Sequence, residues 1–163
     1  MIRRTGRYAL RELAADNPRL VGFQGVPTFV HDEGWVLRGE WTPAAGTPRT
    51  VRVDGALPGL VHDLPLAGTA VLDHPTGTHS LLLTGDPTAP VLLFTDAQST
   101  WQTPAWRTVP ASVTGDVVEI DFSRAVNLPA GFSAHATCPR PPRGNHLPFV
   151  VSAGERRVEV TAR

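Results

Sequence analysis

With 163 residues, 41% hydrophobic and 18% charged, the chain has the balance of one globular domain spanning 1–163 and stands well apart from the disordered class. Its 15 basic residues, all Arg, cancel 15 acidic ones, which argues against a general electrostatic grip on nucleic acid or an anionic membrane. A single Cys rules out an internal disulfide framework. No apolar run reaches signal-peptide or membrane-span length, so a cytoplasmic setting is expected.

The 15 Gly and 16 Pro are spread along the chain as punctuation between short elements, a β-rich signature. A helical turn is expected over residues 11–17, ended by Pro18. In WVLRGEW (35–41), Trp35, Leu37, Gly39 and Trp41 alternate with Val36, Arg38 and Glu40, the period of a strand with one buried face. RTVRVDG (49–55) opposes Val51 and Val53 to Arg52. LAGTAVLD (66–73), THSLLLTG (78–85) and PVLLFTD (90–96) follow as strands, separated by the turn-forming DGALPG, DHPTGT and TGDPTAP.

AQSTWQTPAWRT (97–108) is polar and reads as a loop carrying Trp101 and Trp106. GDVVEIDF (115–122) is a strand, with a short helical turn over 123–126. PFVVSAG (148–154) and RRVEVTA (156–162) are the last expected strands. The predicted fold is all-β: a single-domain antiparallel β-sandwich or partly open β-barrel of about eight strands, with a Pro-rich C-terminal segment across one end.

That segment, HATCPRPPRGNHLPF (135–149), concentrates chemistry-bearing residues. His135, Cys138 and His146 are zinc-like ligand types, but their spacing matches no common zinc module and no second Cys exists, so neither a metal nor another cofactor is expected. Cys138 beside Arg140 and Arg143 suits either a reactive thiol or plain burial. Arg107 and Arg124 offer planar forks for a carboxylate or an oxyanion. Asp96, Asp121 and His135 are the acid–base candidates, with Asp96 and Asp121 at strand ends, where pockets form but where Asp also caps turns. Trp101 and Trp106 are candidates to position a partly apolar ligand.

One stretch is specific. Asp121, Phe122, Ala125, Asn127, Thr137, Cys138, Pro139, Pro141, Pro142, Asn145, Leu147, Pro148, Ala153, Gly154 and Glu155 fall in step, without a gap, with the C-terminal signature of a bacterial family, domain of unknown function 1684. Weaker similarity runs upstream through Phe23 and Gly25, Trp35, and LLFTDAQSTWQTPAWR with Asp96 and Arg107. The resemblance covers most of the chain, without the longer N-terminal region typical of the family. It also has departures: Ala130 replaces a Cys, Ser123 an Asn, Val126 a Tyr, Leu128 a Pro, Thr100 a Gly and Pro104 a Tyr, while His146 stands where Arg is usual.

The resemblance supplies no activity. Together with the residues it suggests an enzyme of cyclase, isomerase or hydrolase type acting on a small, partly apolar molecule, for instance in secondary-metabolite biosynthesis. Asn127, Cys138, Asn145 and Glu155 would be held near one another at its ligand site. The alternatives are a non-catalytic module that binds a small molecule and a subunit of a larger assembly. The expected partner is a small-molecule ligand or substrate, with room for a homodimer.

Overall fold

The computed structural model describes residues 2–4, 6–10, 14, 16–46 and 49–158. Its framework is a closed antiparallel barrel of six strands: β3 (Val36–Pro43), β5 (Val61–His74), β6 (Gly77–Asp86), β7 (Ala89–Phe94), β8 (Arg107–Thr114) and β9 (Val117–Asp121). The path β8–β7–β6–β5–β3–β9 closes because β9 pairs back onto β8, from Ala111 opposite Ile120 to Thr114 opposite Val117. Two further strands hang on it, β4 (Thr50–Asp54) on β5 and β10 (Val126–Asn127) on β8. A hairpin of β1 (Ile2–Arg4) and β2 (Arg7–Ala9) forms a separate two-stranded sheet. Closure leaves the six barrel strands with few free edges, the usual protection of all-β chains against edge-to-edge association.

Glycine makes two of the corners. A Cβ on Gly39 would lie 2.0 Å from the Val71 carbonyl oxygen, and one on Gly68 would lie 2.4 Å from the Thr42 oxygen and 2.6 Å from the Trp41 ring. β3 and β5 can therefore cross this closely only without side chains there. At Gly68 β5 passes through a register irregularity, leaving β4 on one side and taking up β3.

Trp41, Ala70, Leu72, Leu81, Leu83, Leu92, Phe94, Val109, Val118 and Ile120 lie inside the barrel. Leu147, Phe149, Val151 and Ala153 join the same core from the C-terminal segment. PFVVSAG is thus not the strand its alternation predicts. Every second residue is buried because the segment plugs the barrel, and its hydrogen bonds go to side chains and loops instead of a ladder. The opposite correction applies to β8, which the sequence reading passed over as loop and turn. Arg107 at an inward position masks its pattern, although Arg107, Val109, Ala111 and Val113 lie at strand spacing.

Of the two expected helical turns, the one over 123–126 appears as a short 3-10 turn, Phe122–Arg124. Residues 11–13 and 15 of the other lie outside the described residues, and helix α1 (Pro18–Val21) opens at Pro18, a first-turn position where the missing N–H costs nothing. Of the expected strand 156–162, residues 159–162 lie outside the described residues and 156–158 form no strand.

Asn145 repairs a seam where the barrel parts. β6 and β7 pair from Thr84 opposite Val91 to Asp86 opposite Ala89, and then the chain at 145–147 enters between them. The Asn145 side chain stands in for a peptide group: Oδ1 accepts the Leu82 N–H at 2.9 Å, and Nδ2 donates to the Leu82 and Leu93 carbonyls at 2.8 and 2.9 Å. The inserted backbone completes the join, Thr95 donating to the Asn145 carbonyl and Leu147 to that of Thr95. Asn145→Ala would orphan three backbone groups, and we expect it to cost about 3 kcal/mol in urea denaturation. A cost near the surface-substitution range of about 0.5 kcal/mol would show that the seam is held by other contacts.

Candidate functional site

The expected site residues fall into separate settings. Arg107 and Asp96 meet under the C-terminal plug. Arg107 points inward from the start of β8, 1% exposed, and its Nη2 donates to Asp96 Oδ2 at 2.9 Å and to the Val151 carbonyl at 3.0 Å. Its Nη1 donates to the carbonyls of Ala153 and Glu155, and the guanidinium lies 5.2 Å over the Phe94 ring. Burial pulls the Arg107 pKa down, while the Asp96 charge and hydrogen bond, then the Glu155 charge, push it back up. Asp96 is equally committed: Oδ2 also accepts the Val151 N–H, and Oδ1 accepts the Gln98 N–H and the Ser99 hydroxyl. In place of a fork open to a ligand's carboxylate, the arginine is a clamp on residues 151–155.

Glu155 and Asn127 extend this clamp outward. Glu155 Oε2 accepts the Asn127 N–H at 2.6 Å, and Asn127 Nδ2 donates to the Arg156 carbonyl. Cys138 and Asn145, expected beside them, are bound into other parts of the wall. Cys138 is a buried free thiol in a second apolar cluster with Leu93 and Trp106, on which Ala56, Leu64, Leu128 and Ala130 pack. Its segment is fastened to the end of β4 by Ala56 N–H to the Cys138 carbonyl and Arg140 N–H to that of Asp54. The Arg140 guanidinium covers the Trp106 ring at 4.9 Å, so Trp106 is inside the wall.

The remaining candidates stand alone. Asp121 accepts the N–H and hydroxyl of Ser123 and caps the 3-10 turn. Arg124 and His135 are exposed, His135 donating its backbone N–H to Ser133 Oγ. His146 Nδ1 lies 2.9 Å from the Thr95 hydroxyl. Among the described residues no group of three His, Cys, Asp or Glu is placed to hold a metal ion. Trp101 is 74% exposed on the Ser99–Gln102 loop.

Sequence reasoning missed one constellation, at the mouth of the barrel. His74 ends β5 and His79 lies near the start of β6, diagonal to each other across the hairpin and on the same face as the core residues Leu72 and Leu81. Thr76 of the turn has its hydroxyl 2.8 Å from His74 Nδ1 and 3.0 Å from His79 Nε2. The Thr76 backbone N–H also donates to His74 Nδ1 at 3.2 Å, which fixes that nitrogen as an acceptor. The His74 ring stacks on Phe149 of the plug, centroids 3.7 Å apart and planes 9° apart, and His79 meets the same ring edge-on at 5.3 Å. The signal was HPTGTH, two histidines around a turn in strands of known phase.

The family model described as a protein of unknown function, DUF1684, matches residues 21–156. The chain belongs to that family. No curated protein matches it. The solution NMR structure of an uncharacterized protein from Haloarcula marismortui is similar, with 21% identity, a TM-score of 0.68, and coverage of 87% of this chain and 80% of that one. At that identity the likeness speaks for the fold alone. The residues that carry the resemblance have visible work in the structure: Asn145 bridges the seam, Glu155 holds Asn127, and Asp96 and Arg107 lock the plug. No described helix is long and apolar enough to cross a membrane.

Asp96→Asn should cost about 3–5 kcal/mol by leaving the buried guanidinium without its counter-charge. Asp96→Asn combined with Arg107→Met should cost clearly less than the sum of the two single changes in the same denaturation assay. Strict additivity would show the two side chains to be energetically independent. His74 supplies a pH signature. Burial and the nearby His79 lower its pKa in the folded state, so the unfolded chain, titrating near about 6.5, binds the proton more readily. Its stabilising contribution is complete above that value and is lost as pH falls through it. His74→Phe, which keeps a ring on Phe149, should therefore flatten the decline in urea midpoint between about pH 7 and 5.

Proposed function

We propose that this DUF1684 barrel is a non-catalytic binding module, whose small, partly apolar ligand is met at the Ser99–Gln102 loop. The observation that carries the reading is strain. Thr100 has φ 77°, the left-handed region, and is the non-glycine residue found there among the described residues. A β-branched side chain in that conformation costs about 1–3 kcal/mol and persists only where its surroundings enforce it. The enforcement is visible: Thr100 N–H donates to the Thr103 carbonyl at 3.0 Å, Trp101 and Gln102 donate to the Gln98 carbonyl, and Ser99 is tied to Asp96. Arg157 clamps the far side, its backbone N–H on the Gln102 carbonyl and its Nη1 on that of Thr100.

The result is a rigid loop that holds an indole in solvent. A preorganised aromatic surface with few rotamers to freeze is an effective recognition element. The enzyme reading finds less support, since Asp96 is sequestered, Asp121 is a cap, and His135 is exposed, its backbone N–H held by Ser133 Oγ. A cytoplasmic setting is part of the proposal.

A fragment screen followed through the indole N–H resonances tests it. Binding compounds should shift the Trp101 signal and spare buried Trp106, and Trp101→Ala should abolish binding without lowering the melting temperature. Compounds that bind equally well to Trp101→Ala would sink the reading. Thr100→Gly should raise stability by about 1 kcal/mol and weaken ligand binding by loosening the loop.

A further inference from the structure

We propose that the barrel mouth formed by His74, Thr76 and His79 is a binding site for a borderline divalent transition metal ion, gripped by the two imidazoles with solvent in its remaining positions. The argument is one of convergence. His74 Nδ1 and His79 Nε2 approach a single point from two strands, a point now filled by the Thr76 hydroxyl at 2.8 and 3.0 Å. Zinc–imidazole bonds are about 2.0–2.1 Å, so each ring needs to close by less than about 1 Å once the hydroxyl swings aside. Thr76 is exposed on a two-residue turn, so its hydroxyl can exchange the two imidazoles for solvent.

One of the two ligand atoms is already in the required state, while His79 Nε2, which donates to the Thr76 hydroxyl, gives up its proton on coordination. The Thr76 backbone N–H, which can only donate, keeps the proton off His74 Nδ1, so its lone pair is available. Phe149 holds both rings, one face-on and one edge-on, so little side-chain freedom remains to be lost on coordination. Asp73, the nearest carboxylate in sequence, accepts the Thr78 hydroxyl, and as the residue between Leu72 and His74 it lies on the opposite face of β5. The donor set is therefore nitrogen with water, which favours copper, nickel and zinc over calcium and magnesium.

Isothermal titration of the intact protein with zinc chloride and with copper(II) chloride, at pH 7.5 and 5.5, tests the site. We expect one equivalent bound at pH 7.5, about tenfold or more weaker binding at pH 5.5, and a similar loss in His79→Asn, while His135→Ala and His146→Ala bind as the unaltered chain does. Thr76→Val, which removes the competing hydroxyl and keeps the N–H, should bind at least as well. Should His79→Asn be poorly folded, zinc titration of the unaltered protein observed by imidazole carbon NMR gives an independent reading. The His74 and His79 signals should then shift together and saturate at one equivalent. Binding insensitive to His79→Asn, or shifts confined to His31, His62, His135 or His146, would overturn the assignment, as would no binding of either metal at pH 7.5.

Discussion

A guanidinium taken out of water must have its donors met, and Arg107 is where this protein accepts that demand. Burying an unpaired charge of this kind is prohibitive, so the acceptors around it are fixed in number and place. Four of the contacts come from Asp96 and from the carbonyls of Val151, Ala153 and Glu155. Those carbonyls have a matching need. They belong to a segment that lies in the core without a sheet ladder, where each unpaired backbone group would carry its own desolvation cost. Arginine and plug solve each other's problem, and neither is stable in this position alone.

Asn145 applies the same logic at the seam. Where β6 and β7 separate to admit the C-terminal segment, two strands lose their ladder, and a side-chain amide replaces a peptide group in donor and acceptor count alike. The prolines of TCPRPP fix the approach of the chain, so that Asn145 arrives with one orientation and Leu147 follows into the core. Residues 145–155 are thus held by polar groups that complete backbone pairing, while the apolar side chains between them fill the barrel.

Much of the barrel was legible in the sequence, because period-two alternation reports directly which face of a strand is dry. WVLRGEW, THSLLLTG and PVLLFTD lie on β3, β6 and β7 for that reason. PFVVSAG carried the same alternation without being a strand, since burial of every second residue is a property of any extended chain laid on a core. β8 was hidden because one of its inward positions is arginine. The site was less legible for a related cause. An Arg or Asp in a pattern looks the same whether it faces a ligand or a carbonyl, and the difference lies in contacts with residues 44 or more positions away. The family resemblance located Asn127, Asn145 and Glu155, but their work is scaffolding. Ala130 and Cys138 show the converse. A departure from the family pattern and a matched residue come together in one apolar cluster, where alanine simply packs.

Thr100 differs from the other departures because it works against stability. At φ 77° glycine is the relaxed residue. His146 in place of arginine finds a partner in Thr95, and Ala130 finds apolar neighbours, so those exchanges are accommodated locally. The threonine at 100 is accommodated only by the hydrogen bonds that pin its loop from both sides, and those bonds also fix the position of Trp101. A chain that needed only a stable barrel would gain by returning to glycine. Keeping a strained residue immediately before a solvent-facing indole makes sense if rigidity of that indole is what the loop is for.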